Sequence, residues 1–153
     1  MTEYPIAMLG PSRVGKTSLL TVMFDQFDKT VGRTTNLQLT PEGTTGPLIT
    51  SQVAKLKVLA KQQETLDIGP GIDGTAQVKE YTFNVAIRGY RPKIKLRFFD
   101  LPGGWLVSND PAEKANTESL VGTCPVILVP FDAASLMVDN GQHFSRLDRR
   151  AHV

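Results

Sequence analysis

The chain has 153 residues and a formal net charge of +2, with 41% hydrophobic and 21% charged residues. This composition is typical of a single globular domain with its own core, and so small a charge indicates neither nucleic-acid nor membrane binding. No apolar run approaches the ~20 residues that span a bilayer, and Glu3 argues against a signal peptide, so we expect a cytoplasmic protein. The single cysteine, Cys124, excludes an internal disulfide and predicts an inert, half-buried thiol.

One stretch carries a recognisable chemical pattern. Residues Gly10 to Thr17 read Gly-Pro-Ser-Arg-Val-Gly-Lys-Thr and match the phosphate-binding pattern G-x-x-x-x-G-K-[ST] at each fixed position. A buried strand over residues 4–9 is predicted before this stretch, and a helix ending near Phe27 after it. Such a loop turns its backbone N–H groups toward a polyphosphate, and the helix N-terminus adds partial positive charge. The predicted phosphate-binding residues are Gly10, Ser12, Arg13, Val14, Gly15, Lys16, Thr17 and Ser18.

Two of these residues have further predicted properties. The hydroxyl of Thr17 is expected to ligate Mg²⁺, because hard cations prefer oxygen ligands. A small residue is commoner than Arg13 inside such a loop. The side chain of Arg13 could contact phosphate or a partner, but the preferred interpretation is that it faces solvent.

The middle of the chain combines loops with one helix. Residues 28–47 are rich in Thr and Gly and predict a long polar loop, with a small hairpin around Pro41 to Gly43. Apolar residues three or four apart then predict a helix over 48–63. A second loop, 67–75, is rich in turn residues.

The second half predicts strands and one more helix. Apolar residues alternate from Tyr81 to Ile87 and again from Ile94 to Phe98, which predicts an antiparallel hairpin. A helix is expected over 111–120, with Asp110 as its cap. A buried strand is expected over 125–131.

A second motif ends the hairpin. The apolar strand that begins near Leu96 ends at Asp100, and Gly103 follows three residues later. In a phosphate-loop fold, the strand beside the first one carries an acid at its carboxyl end. Asp100 is therefore predicted to hold Mg²⁺ opposite Thr17, and the backbone N–H of Gly103 to reach the terminal phosphate.

The two motifs in this order resemble a known family. The phosphate loop, the long loop, the hairpin and Asp100-Leu101-Pro102-Gly103 resemble the guanine-nucleotide-binding domain of the translation-factor and Ras-like (TRAFAC) class of P-loop GTPases, over residues 4 to about 135. This resemblance implies an α/β, three-layer P-loop NTPase fold, with a mostly parallel sheet and one antiparallel strand pair. It also implies one domain over 1–153, with an insertion and switch region at about 28–77.

The resemblance further implies the ligands. GTP would be the substrate or ligand and Mg²⁺ the cofactor, and a protein effector or an additional domain would contact the switch regions. The family has a switch threonine whose place Thr75 matches, as a further Mg²⁺ ligand. Alternative switch threonines are Thr34, Thr35, Thr44 and Thr45. Arg33 could act as an arginine supplied in cis or lie at the surface.

Three departures from the family pattern affect the expected activity. Gly104 stands where small GTPases commonly have a water-orienting glutamine, and the spacing from Lys16 to Asp100 exceeds that of a minimal small GTPase. The guanine-reading stretch Asn/Thr-Lys-x-Asp does not occur. One further strand-helix unit needs about 30 residues, more than follow Asp132, so we expect a C-terminally truncated, partial domain.

Three functions follow in order of preference. The first is Mg²⁺-dependent GTP binding with switch activity, or hydrolysis that is weak or needs a partner. The second is a catalytically inactive nucleotide-binding interaction domain. The third is an ATPase or kinase of another phosphate-loop class.

Overall fold

The computed structural model describes residues 1–11, 14–64 and 77–130. The strands are β1 Thr2–Met8, β2 Leu37–Pro41, β3 Lys79–Ile87, β4 Ile94–Asp100 and β5 Val126–Leu128. The helices are α1 Lys16–Phe27, α2 Val31–Thr35, α3 Thr45–Glu64 and α4 Pro111–Thr123, with a 3₁₀ turn at Gly103–Leu106. The described residues thus form an α/β fold around a five-stranded mixed sheet. None of these helices is long and apolar enough to cross a membrane.

The strand order in the sheet is β2-β3-β4-β1-β5. Strand β1 runs parallel to both of its neighbours, β4 and β5, whereas β3 runs antiparallel to β4 and to β2. The predicted hairpin of β3 and β4 is therefore confirmed. The sheet contains two antiparallel pairings where the sequence predicted one, because β2 lies inside the segment predicted as a polar loop. Its buried Leu39 joins the core, so tertiary pairing overrides a weak local pattern.

Side chains alternate between the two faces of the sheet, and helices cover both faces. Helices α1 and α3 cover one face, where the core includes Ile6, Met8, Leu20, Leu39, Ile49, Tyr81, Phe83 and Phe98. Helix α4 covers part of the other face, where Leu120 packs against Ala7, Leu101 and Cys124. Cys124 is buried, more deeply than the half-buried position that was predicted, and this burial raises the pKa of its thiol. A raised pKa disfavours the reactive thiolate form.

The rest of that second face carries a charged network. The guanidinium Nε of Arg97 lies 2.7 Å from Glu80 Oε1, and its Cζ lies 5.3 Å from the centre of the Phe99 ring. The ammonium of Lys95 lies 3.0 Å from Glu42 Oε2 and 3.6 Å from Glu3 Oε1. These pairs keep the partly covered face hydrophilic.

The helix boundaries agree with the prediction in part. Helix α1 ends at Phe27, as predicted. Helix α3 begins at Thr45, earlier than predicted, and the Thr45 hydroxyl accepts a hydrogen bond of 2.8 Å from the backbone N–H of Thr82. The predicted cap of α4 is confirmed, because the carboxylate of Asp110 accepts a hydrogen bond of 2.7 Å from the N–H of Ala112.

The prediction of a buried strand over 125–131 was wrong in its burial and its length. Strand β5 covers only Val126–Leu128, whose residues are 41%, 42% and 37% exposed. Within the described residues β5 pairs only with β1, so it is an edge strand. The predicted loop 67–75 and residues 131–153 lie outside the described residues.

Candidate functional site

The two sequence motifs meet at one edge of the sheet. Met8 and Asp100 are register partners at the carboxyl ends of the neighbouring parallel strands β1 and β4. Helix α1 follows β1 on one face of the sheet, and α4 follows β4 on the other face. In α/β sheets, the crevice between two such strands is a preferred ligand site. The loop before α1 and the turn after Asp100 therefore follow the adjacent carboxyl ends of these two strands.

The loop depends on two glycines. The φ angles of Gly10 and Gly15 are 154° and 86°, a region that glycine adopts far more readily than other residues. A Cβ atom at Gly10 would lie 3.1 Å from Val14 Cγ1 and 3.6 Å from the carbonyl oxygen of Pro130. The loop therefore closes tightly over Gly10. Two predicted phosphate-binding residues, Ser12 and Arg13, lie outside the described residues.

Lys16 is held beneath this loop. Its ammonium Nζ donates hydrogen bonds to the carbonyl oxygens of Gly10 at 2.8 Å and Pro11 at 3.1 Å. Only 6% of Lys16 is exposed, and this burial lowers the pKa of its ammonium, whereas the negative charge of Asp100 acts in the opposite direction. The structure thus holds the ammonium of Lys16 against the carbonyl oxygens of the predicted phosphate loop.

Thr17 and Asp100 bring the two motifs into direct contact. The hydroxyl of Thr17 donates a hydrogen bond to Oδ2 of Asp100, whose side chain is fully buried. A hydroxyl and a carboxylate are both oxygen donors of the kind that Mg²⁺ prefers. Within residues 1–11, 14–64 and 77–130, no three His, Cys, Asp or Glu side chains cluster as a metal site. The pair therefore fits a Mg²⁺ ion that takes its other ligands from phosphate and water.

The turn after Asp100 places two glycines differently. Gly103 is buried at the start of the 3₁₀ turn, whereas Gly104 is exposed. A Cβ atom built on Gly104 would have no heavy atom within 4 Å. Gly103 is therefore buried in the turn that follows Asp100, and the position of Gly104 has room for a larger side chain.

The predicted switch residue Thr75 lies outside the described residues. Three of its alternatives have hydrogen bonds to other residues in the structure. The hydroxyls of Thr34 and Thr35 lie 3.1 Å and 2.6 Å from the carbonyl oxygen of Val31 in α2, and Thr45 binds the backbone of β3. The fourth alternative, Thr44, is exposed beside it.

Arg33 lies in another part of the molecule. It borders an open cleft of about 450 Å³, whose described lining residues are Asp28, Lys29, Gly32, Arg33, Asn36 and Arg88. None of these residues belongs to the phosphate loop. The structure therefore does not place Arg33 beside Lys16 or Thr17.

A buried chain of polar side chains that the sequence did not predict begins at Thr17. The hydroxyl of Thr21 lies 2.7 Å from the carbonyl oxygen of Thr17 and 2.7 Å from Oε1 of Gln52. The amide Nε2 of Gln52 donates a hydrogen bond of 3.1 Å to the hydroxyl of Tyr81. One signal could have revealed it: Gln52 is a polar residue three positions after Ile49 on the apolar face of α3.

Comparisons with known proteins do not assign the chain to a family. Searches of protein-family models, of curated proteins and of solved structures found no match. The function of this site is therefore inferred from its residues and their geometry.

Proposed function

We propose that this chain is a P-loop GTP-binding domain of the translation-factor and Ras-like class, which binds GTP with Mg²⁺ and acts as a switch or a slow hydrolase. The observation that carries the proposal is the contact between Thr17 and Asp100. Thr17 lies in the phosphate loop and Asp100 in the second motif, 83 positions away in the chain, and the fold brings the two side chains together. The neighbouring positions of β1 and β4 and the helices on both faces also support a three-layer P-loop NTPase fold.

The phosphate groups would be bound mainly by the loop. The backbone N–H groups that would donate to phosphate oxygens are those of Gly10, Ser12, Arg13, Val14, Gly15, Lys16, Thr17 and Ser18. Those at the start of α1 are available because the first N–H groups of a helix have no partner within it. The ammonium of Lys16 would supply the positive charge nearest the terminal phosphates. The backbone N–H of Gly103 would bind the terminal phosphate from the opposite wall of the crevice.

The metal would be held by oxygen ligands. The Thr17 hydroxyl and the Asp100 carboxylate would bind Mg²⁺, and Thr75 is proposed as a further ligand from the switch region. When bound, Mg²⁺ supplies positive charge that bridges the phosphate oxygens and neutralises the charge that develops during phosphoryl transfer.

The residue after the second motif suggests weak turnover. Gly104 has no side chain with which to orient a water molecule. Hydrolysis would therefore be slow or depend on a partner that reaches the exposed Gly104. The same observation supports the second candidate, a nucleotide-binding interaction domain that hydrolyses nothing and contacts an effector through its switch region.

The base is the least constrained part of the ligand. The sequence contains no Asn/Thr-Lys-x-Asp stretch, and the preference for GTP comes from the resemblance in the phosphate-binding half. An ATPase or kinase of another phosphate-loop class is therefore an outcome that the experiment must separate.

The experiment is a binding titration with fluorescent GTP and fluorescent ATP, each in Mg²⁺ and in EDTA. We expect saturable binding of GTP that Mg²⁺ strengthens and that unlabelled GTP competes away more effectively than ATP. Lys16→Ala should weaken this binding about tenfold or more, because charge-assisted hydrogen bonds contribute about 1.5–3 kcal/mol each. The matched control is Lys57→Ala, which removes an exposed lysine of α3.

Each alternative result has a distinct meaning. Absence of binding to either nucleotide, with Lys16→Ala and the parent indistinguishable, would overturn the proposal. Preference for ATP would favour the ATPase or kinase. Tight GTP binding without turnover would favour the interaction domain.

A further inference from the structure

The buried polar chain of Thr21, Gln52 and Tyr81 joins three elements behind the candidate site. Thr21 lies on α1, Gln52 on α3 and Tyr81 on β3. Their exposed fractions are 0%, 8% and 0%, so all three are buried. Buried polar groups are costly unless they are hydrogen-bonded, and here each one has a partner in the chain.

The buried polar chain of Thr21, Gln52 and Tyr81 approaches the candidate site at both of its ends. On one side, the Thr21 hydroxyl lies 2.7 Å from the carbonyl oxygen of Thr17, whose own hydroxyl binds Asp100. On the other side, Tyr81 and Asp100 lie on the same face of the sheet, on adjacent strands. Burial raises the pKa of the Tyr81 phenol, and the nearby negative charge of Asp100 acts in the same direction. Gln52 therefore connects the surroundings of both predicted metal ligands.

The hydrogen-bonding groups of Gln52 suit a role in fixing how α1, α3 and β3 are arranged, more than a role in stabilising the fold. An apolar side chain of similar size would fill the same volume, but it would leave the hydroxyls of Thr21 and Tyr81 without this partner. A buried network that is fully hydrogen-bonded fixes one arrangement of the elements that it joins. A rotation or shift of α3 would break the contacts of Gln52 with α1 and β3. The position of α3 is thus tied to the first turn of α1, where Thr17 lies.

We propose that Gln52 is a positioning residue for Thr17 and Asp100, through which α3 controls the Mg²⁺-dependent part of nucleotide binding. The proposal rests on the proposed function for its ligand, but the polar chain is itself a feature of the protein alone. Some residues do not bind a metal themselves but orient its ligands. Their replacement commonly changes the metal affinity by about 10–100-fold. Gln52 acts in this way from a helix within the segment that separates the two motifs.

The test compares Gln52→Met with Ile49→Val. Gln52→Met keeps the side-chain length and removes the hydrogen bonds, whereas Ile49→Val loosens the packing of the same helix without affecting them. Tyr81→Phe is a second variant, which removes the hydroxyl that accepts the hydrogen bond of Gln52. We would measure the Kd of fluorescent GTP in Mg²⁺ and in EDTA for each folded variant, together with its Tm.

The expected result separates positioning from general destabilisation. Gln52→Met should raise the Kd for GTP about tenfold in Mg²⁺ and by less than about twofold in EDTA. Tyr81→Phe should raise the ratio of the Kd in Mg²⁺ to the Kd in EDTA by a smaller factor. Ile49→Val should lower Tm while keeping the parent ratio of the two Kd values. The proposal would be overturned if Gln52→Met lost the same affinity for GTP in Mg²⁺ as in EDTA. It would also be overturned if Gln52→Met and Ile49→Val had the same ratio of the two Kd values.

A measurement without nucleotide distinguishes the two proposals. In ¹H–¹⁵N spectra of the ligand-free protein, Gln52→Met should shift the amide signals of Thr17 and Asp100, whereas Ile49→Val should leave them in place. Unchanged signals in Gln52→Met would overturn the positioning role. If the parent binds no nucleotide, the proposed function fails, and these spectra still decide whether Gln52 positions the pair.

Discussion

The hydroxyl of Thr17 and the carboxylate of Asp100 are in contact although 83 positions separate them in the chain. The contact is possible because β1 and β4 are neighbouring parallel strands whose carboxyl ends coincide at Met8 and Asp100. Under the proposed function, each of the two motifs would therefore contact the same ligand. This relationship determines the first prediction.

Removal of the Thr17 hydroxyl should weaken nucleotide binding only where Mg²⁺ is present. We expect Thr17→Ala to raise the Kd for GTP about tenfold or more in Mg²⁺, since a contact with a charged group contributes about 1.5–3 kcal/mol. Titration in Mg²⁺ and in EDTA measures this difference. Thr17→Ser retains a hydroxyl and is the control; equal losses in both variants would contradict the predicted role.

Replacement of Gly104 should test the missing water-orienting group. The position has room for a side chain and lacks a positive φ, so Gly104→Gln should leave the fold and the nucleotide Kd unchanged. We expect it to raise GTP turnover about tenfold, below the ~10²–10⁴-fold of a fully positioned proton-transfer group. Phosphate release measures the rate. Gly104→Met is the control of similar size, and equal rates in the two variants would exclude the orienting role.

Truncation of Phe83 should produce the largest loss of stability among these variants. Phe83 is fully buried, and its ring lies 5.3 Å from that of Phe24 and 5.8 Å from that of Phe98. We expect Phe83→Ala to lower the free energy of unfolding by about 3–5 kcal/mol, because it leaves a cavity in the core. Urea denaturation measures this value. Tyr90→Ala, at a residue that is 74% exposed, should change it by less than about 0.5 kcal/mol.

Loss of the helix cap at Asp110 should destabilise α4 measurably. Its carboxylate accepts the hydrogen bond of an N–H group that has no partner within the helix. We expect Asp110→Ala to lower the free energy of unfolding by about 0.5–2 kcal/mol. The neighbouring exposed Asn109→Ala is the control in the same denaturation experiment. An Asp110 variant as stable as this control would show that the cap contributes nothing.

The ion pair of Glu80 and Arg97 should make stability depend on acidic pH. The hydrogen bond from Arg97 lowers the pKa of Glu80 below its usual value of 4.5. The folded protein therefore holds this proton less tightly than the unfolded chain. The contribution of this ion pair to the free energy of unfolding is present above pH 4.5 and is lost as the pH falls through the pKa of Glu80 in the folded protein. Because Glu80 is partly exposed, the contribution should not exceed about 1 kcal/mol.

Urea denaturation at pH 7 and at pH 3 measures this contribution. The parent should be more stable than Glu80→Gln at pH 7, and the difference should shrink at pH 3. The control is Glu118→Gln, which removes a carboxylate on the exposed side of α4. A difference for Glu80→Gln that is the same at both pH values would contradict the prediction.

Local sequence determined the elements whose signals are short-range. The phosphate-loop pattern placed α1 directly after a strand, and the alternation of apolar residues predicted β3 and β4 as an antiparallel pair. The cap of α4 at Asp110 was also readable, because capping depends on residues within one turn of the helix.

The formation of β2 and the exposure of β5 depend on residues that are distant in the sequence, so they became apparent in the tertiary structure. Strand β2 was missed because it has few apolar residues of its own and forms through its pairing with β3. The apolar run of β5 predicted burial, yet its residues are exposed because the strand lies at the edge of the described sheet. An apolar run shows that a segment can be buried, but its neighbours determine whether it is.

The candidate site divides in the same way. The sequence by itself identified Gly10–Thr17, Asp100 and Gly103, because each belongs to a motif with fixed local spacing. The contact of Thr17 with Asp100 and the chain through Gln52 to Tyr81 required the fold, since their atoms come from separate elements. Local spacing fixes which groups a motif offers, whereas strand order and helix packing fix which of those groups meet.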